Sequence, residues 1–268
     1  MVSAGLKAYL MTRGTSRRLD YNFLGTPPPR LWWRPLGDSG LILLEQPEVI
    51  AYGDGRELSI LISGVPSERR DMIGTRIRYT LVVDDLQEDL DLAQRLAVTG
   101  LSPDGRIRLG HRLDEDFDAA TVDGLLSGSP DGPDVGEFLA TMLASPDWSA
   151  PAADSGQEIP GSWAGPADAA AACAAFLARI RALAAGNRGF AFTTHSLTTK
   201  DGAEKANMEL PGTSAMLLAD GELEEVVLLG GKAPPEAPRR ASRRLLLVAV
   251  AAVAVVAAGA ITVLALLF

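Results

Sequence analysis

The run LLLVAVAAVAVVAAGAITVLALLF, from Leu245 to Phe268, holds 24 residues without a charge, and no other stretch constrains the chain as strongly. Wound as a helix it extends about 36 Å, against about 30 Å of bilayer hydrocarbon. A helix that is apolar on every side needs lipid or a large protein around it. The run therefore predicts one C-terminal transmembrane helix over 245–268. Arg239, Arg240, Arg243 and Arg244 stand just before it, and arginine-rich flanks stay on the cytoplasmic side. The expectation is a single-pass protein of the inner (plasma) membrane with its N-terminal domain cytoplasmic. The run closes the sequence, and MVSAGLKAYLMTRGTSRR has no apolar core of signal-peptide length, so the expected plan is tail-anchored.

Charge narrows the partners. The net charge of −9 is uneven: residues 1–83 carry +3, 84–158 carry −13 and 159–268 carry +1. The acidic middle repels nucleic acid and anionic headgroups, so no nucleic-acid partner is expected, and any anion site falls in the first third. The single cysteine, Cys173, allows no internal disulfide, in keeping with a reducing compartment. Arginine outnumbers lysine 21 to 4 and alanine is abundant, a usage associated with GC-rich bacterial genomes.

Residues 1–230 read as one cytosolic α+β domain with a mostly antiparallel sheet and about three helices. LKAYLMT and LDYNFLG flank a turn and predict a hairpin; LWWRPL, LILLEQPEVIAY, ELSILISGV and RIRYTLVVDD continue as strands. Helices are expected from Asp85 to Gly100, after Asp134, and from Pro166 to Gly186, where an apolar stripe carries Cys173. Residues 145–165, dense in Pro, Gly and Ser, predict a mobile loop. GFAFTTHSLT and ANMEL follow as strands, then a hairpin SAMLLADGELEEVVLL. Residues 231–244, rich in Pro and Arg, predict a tether.

The sequence lacks a G-x-x-x-x-G-K-S/T phosphate loop, a G-x-S-x-G elbow, an H-E-x-x-H helix and a C-x-x-C pair, which removes several enzyme classes. His111, His195 and Cys173 barely supply a zinc site, so no metal and no cofactor are expected. His195, among hydroxyls in FTTHSLTT, is the candidate general base if the chain is an enzyme; a strand histidine bonded to its neighbours is the simpler reading. Arg13, Arg17 and Arg18 in the first hairpin, with Arg69, Arg70, Arg76 and Arg78 in SGVPSERRDMIGTRIRYTL, would form a basic ligand-binding cleft if the two turns share an edge of the sheet. In the terminal run, Ala251, Ala254, Ala258 and Thr262 align small residues on one helical face and predict helix association into a homo-oligomer.

These features favour a non-enzymatic membrane protein. Its cytosolic domain would bind a small anionic ligand or a cytosolic protein, while its helix localises it to the lipid bilayer or, on clustering, perturbs that membrane. The layout is similar to that of bacterial defence or stress effectors, in which a cytosolic sensor joins a membrane segment. The alternatives are a membrane-tethered enzyme using His195 and a passive scaffold that recruits a partner through the acidic 84–158 region.

Overall fold

Strands dominate where β-branched and aliphatic residues run without interruption, because a sheet covered on both faces buries every side chain rather than alternate ones. In the computed structural model, which describes residues 6–129, 133–151 and 156–230, the strands are β1 (Lys7–Thr12), β2 (Asn22–Phe23), β3 (Val49–Asp54), β4 (Leu58–Arg70), β5 (Arg76–Asp84), β6 (Trp163–Pro166), β7 (Arg188–Thr194), β8 (Thr213–Leu218) and β9 (Val227–Leu228). They form one sheet of order β2-β1-β5-β4-β3-β7-β8-β6-β9. The helices among the described residues are α1 (Arg34–Asp38), α2 (Leu90–Leu101), α3 (Pro103–Asp114), α4 (Ala119–Leu126), α5 (Val135–Ala144), α6 (Ala170–Ala184) and α7 (Lys200–Glu209).

Side chains alternate between two cores. Val49, Ala51, Ile60, Ile62, Leu81, Val83, Ala191 and Leu217 face the core shared with α2 to α6. Ile50, Leu61, Val82, Phe190, Phe192, Met216 and Leu218 face the smaller core that α1 and α7 close with Leu36, Ala203 and Ala206. The result is three layers, helices on both faces of the sheet.

This architecture corrects the expected mostly antiparallel α+β fold with about three helices, while the expected C-terminal transmembrane helix falls on residues that the structure does not describe. The sheet is mixed: β6, α6, β7, α7 and β8 make a β-α-β-α-β unit in which β8 runs parallel to both β6 and β7. Among the described residues there are seven α-helices where about three were expected. Among the described residues no helix is long and apolar enough to cross a membrane. The tether at 231–244, the run from Leu245 to Phe268, the four arginines before it and the small face at Ala251, Ala254, Ala258 and Thr262 all lie outside the described residues.

Each local departure has a cause. LWWRPL turns into α1 because Pro35 sits in its first turn, where a missing N–H costs nothing. ANMEL ends α7, which Thr199 initiates by accepting from the Gly202 amide. The expected β8–β9 hairpin does not pair with itself: β6 lies between the two and bonds both. The expected 145–165 loop ends in that strand, with Trp163 fully buried. Just before that strand, Arg179 of α6, 1 % exposed, donates from Nη2 to the Ile159 carbonyl at 2.7 Å and lies 3.3 Å from Glu158. Helix α3 escapes the apolar pattern because Gly105 and Gly110 replace side chains; a Cβ at Gly110 would collide with the Pro66 carbonyl oxygen.

Strand direction decides what the fold can present. β4 and β7 both run antiparallel to β3, so the end of β4 points to the same edge as the carboxyl ends of β6, β7 and β8. β3 first pairs at Val49 with Ile62, so β4 continues for eight residues beyond the body of the sheet. With β5 it forms a ribbon carrying two irregularities in register, and α3 packs along its base.

Candidate functional site

The β4–β5 ribbon ends in a tight turn that its own sequence specifies. Asp71 accepts from the Ile73 and Thr75 amides at 3.0 and 2.8 Å, and Gly74 takes φ +85, open to glycine at no steric cost. The Met72 amide then donates 3.2 Å to the carbonyl of Thr15, in the loop that follows β1. Thr15 is held in turn by Asp123 of α4, which accepts from its amide at 2.9 Å and its hydroxyl at 2.5 Å. The two arginine-bearing turns thus share one edge of the sheet.

The seven arginines expected there divide by environment. Arg69 is 8 % exposed and turned inward. It donates to Ser67 Oγ at 3.1 Å, to the Arg13 carbonyl at 3.1 Å and to Thr12 Oγ1 at 2.8 Å, and its guanidinium stacks 4.8 Å from the Tyr79 ring centre. Asp114, at the end of α3, completes this network by accepting from Ser67 Oγ at 2.5 Å, from the Glu68 amide at 2.6 Å and from the Tyr79 hydroxyl at 2.9 Å. Burial holds the Tyr79 hydroxyl well above its usual range, so it stays a donor. Arg13 pairs with Asp71 at 3.6 Å, and Arg78 donates to the Glu45 carbonyl. These three side chains are structural ties.

The other four point outward. Arg70 is exposed and donates to the Gly74 carbonyl at 2.8 Å. Arg17, Arg18 and Arg76 are exposed, and their side chains have no hydrogen bond or ion pair among the described residues. Between Arg70 and Arg76 along the ribbon turn stand Met72 and Ile73, each 71 % exposed, the most exposed large apolar residues described. Charge and turn chemistry were readable in SGVPSERRDMIGTRIRYTL. What the sequence alone did not flag is the apolar pair: a Met-Ile step inside an Asp-x-x-Gly turn has no core to face.

A second titratable centre lies on the same edge, where β3 begins beside the end of β7. Glu48 is fully buried, and its Oε2 accepts from the Leu43 amide at 3.0 Å while Oε1 accepts from the His195 amide at 3.3 Å. Burial pushes its carboxyl up to about 8. His195 Nδ1 is 3.7 Å from Oε1 and is buried without a hydrogen bond. Two neighbouring hydroxyls are engaged elsewhere: Thr193 Oγ1 accepts from the Val49 amide at 2.8 Å, and Thr194 Oγ1 donates to the Leu41 carbonyl at 2.5 Å. The pair sets a carboxyl group behind a histidine, and neither of these two hydroxyls is free to serve it as a nucleophile. Glu48 was legible only as a lone acid entering an apolar strand.

His111 lies on the exposed face of α3, 3.2 Å from Glu68. Cys173 donates to the Ala167 carbonyl at 3.2 Å, and burial raises its thiol, which makes it a poor nucleophile. Among the described residues no three His, Cys, Asp or Glu side chains converge as metal ligands. Comparison with family models, with curated proteins and with solved structures finds no match for this chain.

Proposed function

We propose that this chain is a membrane-attached, non-enzymatic binding protein whose basic edge, Arg17, Arg18, Arg70 and Arg76, recognises an anionic group on a ligand or a protein. The observation that carries the reading is the bond from the Met72 amide to the Thr15 carbonyl, which joins two arginine-bearing turns while leaving three guanidinium groups without a partner among the described residues. Unpaired guanidinium forks are suited to carboxylate and phosphate oxygens. Attachment is supported by sequence: 24 uncharged residues after Arg239, Arg240, Arg243 and Arg244, with the domain facing the cytosol.

Retention on phosphocellulose tests the binding half. A protein of net charge −9 has no general reason to bind that resin, so two variants of the full chain locate the charge responsible. Arg17→Gln/Arg18→Gln/Arg70→Gln/Arg76→Gln is expected to flow through at low salt, whereas replacing the four arginines at 239–244 leaves part of the retention. Equal retention of the edge variant and the natural chain would remove the basic edge as the site.

One observation favours a second reading, a membrane-tethered enzyme using His195: the buried Glu48 lies against the ring and titrates near neutral pH, as general acid–base groups do. The engaged hydroxyls around it are why binding is preferred.

A further inference from the structure

The turn at the ribbon tip combines two features that a soluble ligand does not explain together. Four arginines account for an anion; Met72 and Ile73, both 71 % exposed and set between Arg70 and Arg76, do not. A small phosphate would meet the guanidinium groups and leave both apolar chains in water. A bilayer surface satisfies both, since anionic headgroups meet the arginines while short apolar chains enter the headgroup–acyl boundary. Arginine stems also let the charge stay at headgroup level while their methylenes cover apolar surface.

The ribbon is built to hold such a tip rigidly. β4 and β5 extend past the body of the sheet, and Asp114 and Arg69 lock the base through Ser67, Thr12 and Tyr79. The Asp71 side chain fixes the turn, and Thr15 holds it from the side.

We infer that the β4–β5 tip is a membrane-docking surface: Met72 and Ile73 enter the interface of an anionic lipid bilayer while Arg17, Arg18, Arg70 and Arg76 engage its headgroups. The inference rests on the membrane-attached reading above and names the anionic partner of the same edge.

The test uses the full chain with Cys173→Ser and Met72→Cys carrying an environment-sensitive fluorophore, mixed with vesicles of phosphatidylcholine alone or with a third phosphatidylglycerol. A blue shift and quenching by lipid-borne nitroxide are expected on the phosphatidylglycerol vesicles and not on phosphatidylcholine. The docked population should fall about fivefold for each arginine replaced by glutamine. Protection of the 70–76 amides from hydrogen exchange in the unlabelled chain gives the same answer without a substitution at the tip. Inorganic phosphate at matched ionic strength should leave the shift in place; displacement by it reassigns the edge to a free anion and overturns the proposal. Alkaline extraction of the same vesicles reads attachment separately. A probe that stays in water on phosphatidylglycerol vesicles that retain the chain overturns docking alone. A probe that shifts although alkali releases the chain upholds docking and removes the attachment.

Discussion

Two charged centres sit near the same edge of the sheet and treat burial in opposite ways. At the base of the ribbon, the guanidinium of Arg69 finds two hydroxyls, a carbonyl, an aromatic face and the Asp114 carboxylate. At the start of β3, Glu48 has two backbone amides and a histidine nitrogen 3.7 Å away. The first charge is fully partnered and holds a geometry. The second is under-partnered, so its proton equilibrium moves to about 8. A buried charge stays ionised at low cost only where enough dipoles replace its water. The Arg69 centre is therefore the mechanical support for whatever the tip does, and the Glu48 centre is the part of this edge that responds to pH.

That contrast can be broken by substitution. Arg69→Ala leaves Asp114 and Thr12 without their cation, and the expected loss is about 3–5 kcal/mol of unfolding free energy, measured by denaturant titration; a loss under ~1 kcal/mol would show that the network is incidental. Glu48→Gln acts through pH. A carboxyl whose folded value is raised binds its proton more tightly in the native state, so its contribution is complete below about 4.5 and is lost as pH rises toward about 8. The natural chain should lose stability between pH 5 and 8, and the glutamine variant should lose that slope, gaining about 2–4 kcal/mol at pH 8. Identical pH profiles would place the Glu48 carboxylate in contact with solvent or a stronger partner. Arg76→Gln, at an exposed site with no partner among the described residues, should change stability by less than about 0.5 kcal/mol while weakening binding at the edge. A larger stability change would return Arg76 to the structural group.

The readable parts of the fold were those in which local pattern and final environment agree. β1, β4, β5 and β7 follow their apolar runs, and α5 begins where Asp134 offers its side chain to the Glu137 amide. The illegible parts are those in which tertiary packing overrides pattern. Gly105 and Gly110 lower the helical signal of α3: Gly110 lets α3 approach β4 at the Pro66 carbonyl, and Gly105 lets it pass the Thr99 carbonyl of α2. Trp163 to Pro166 are hidden in a Pro- and Gly-rich stretch, yet form the strand that joins β8 to β9. Without that strand the sequence suggests a terminal hairpin, and the parallel unit is lost from view. At the candidate site, the charge of all seven arginines was visible, but not which way each one faces. Arg69 and Arg70 are adjacent on a strand and point to opposite sides, one into the network and one to solvent. Glu48 and His195 are 147 residues apart, and only the β3–β7 pairing brings them together.

Fractionation of bacteria expressing the full chain tests the proposed membrane attachment most directly. The full chain is expected to sediment with membranes and resist alkaline extraction, and deletion of 239–268 to move it to the soluble fraction. A full-length chain that is soluble, or that alkali releases completely, would contradict it.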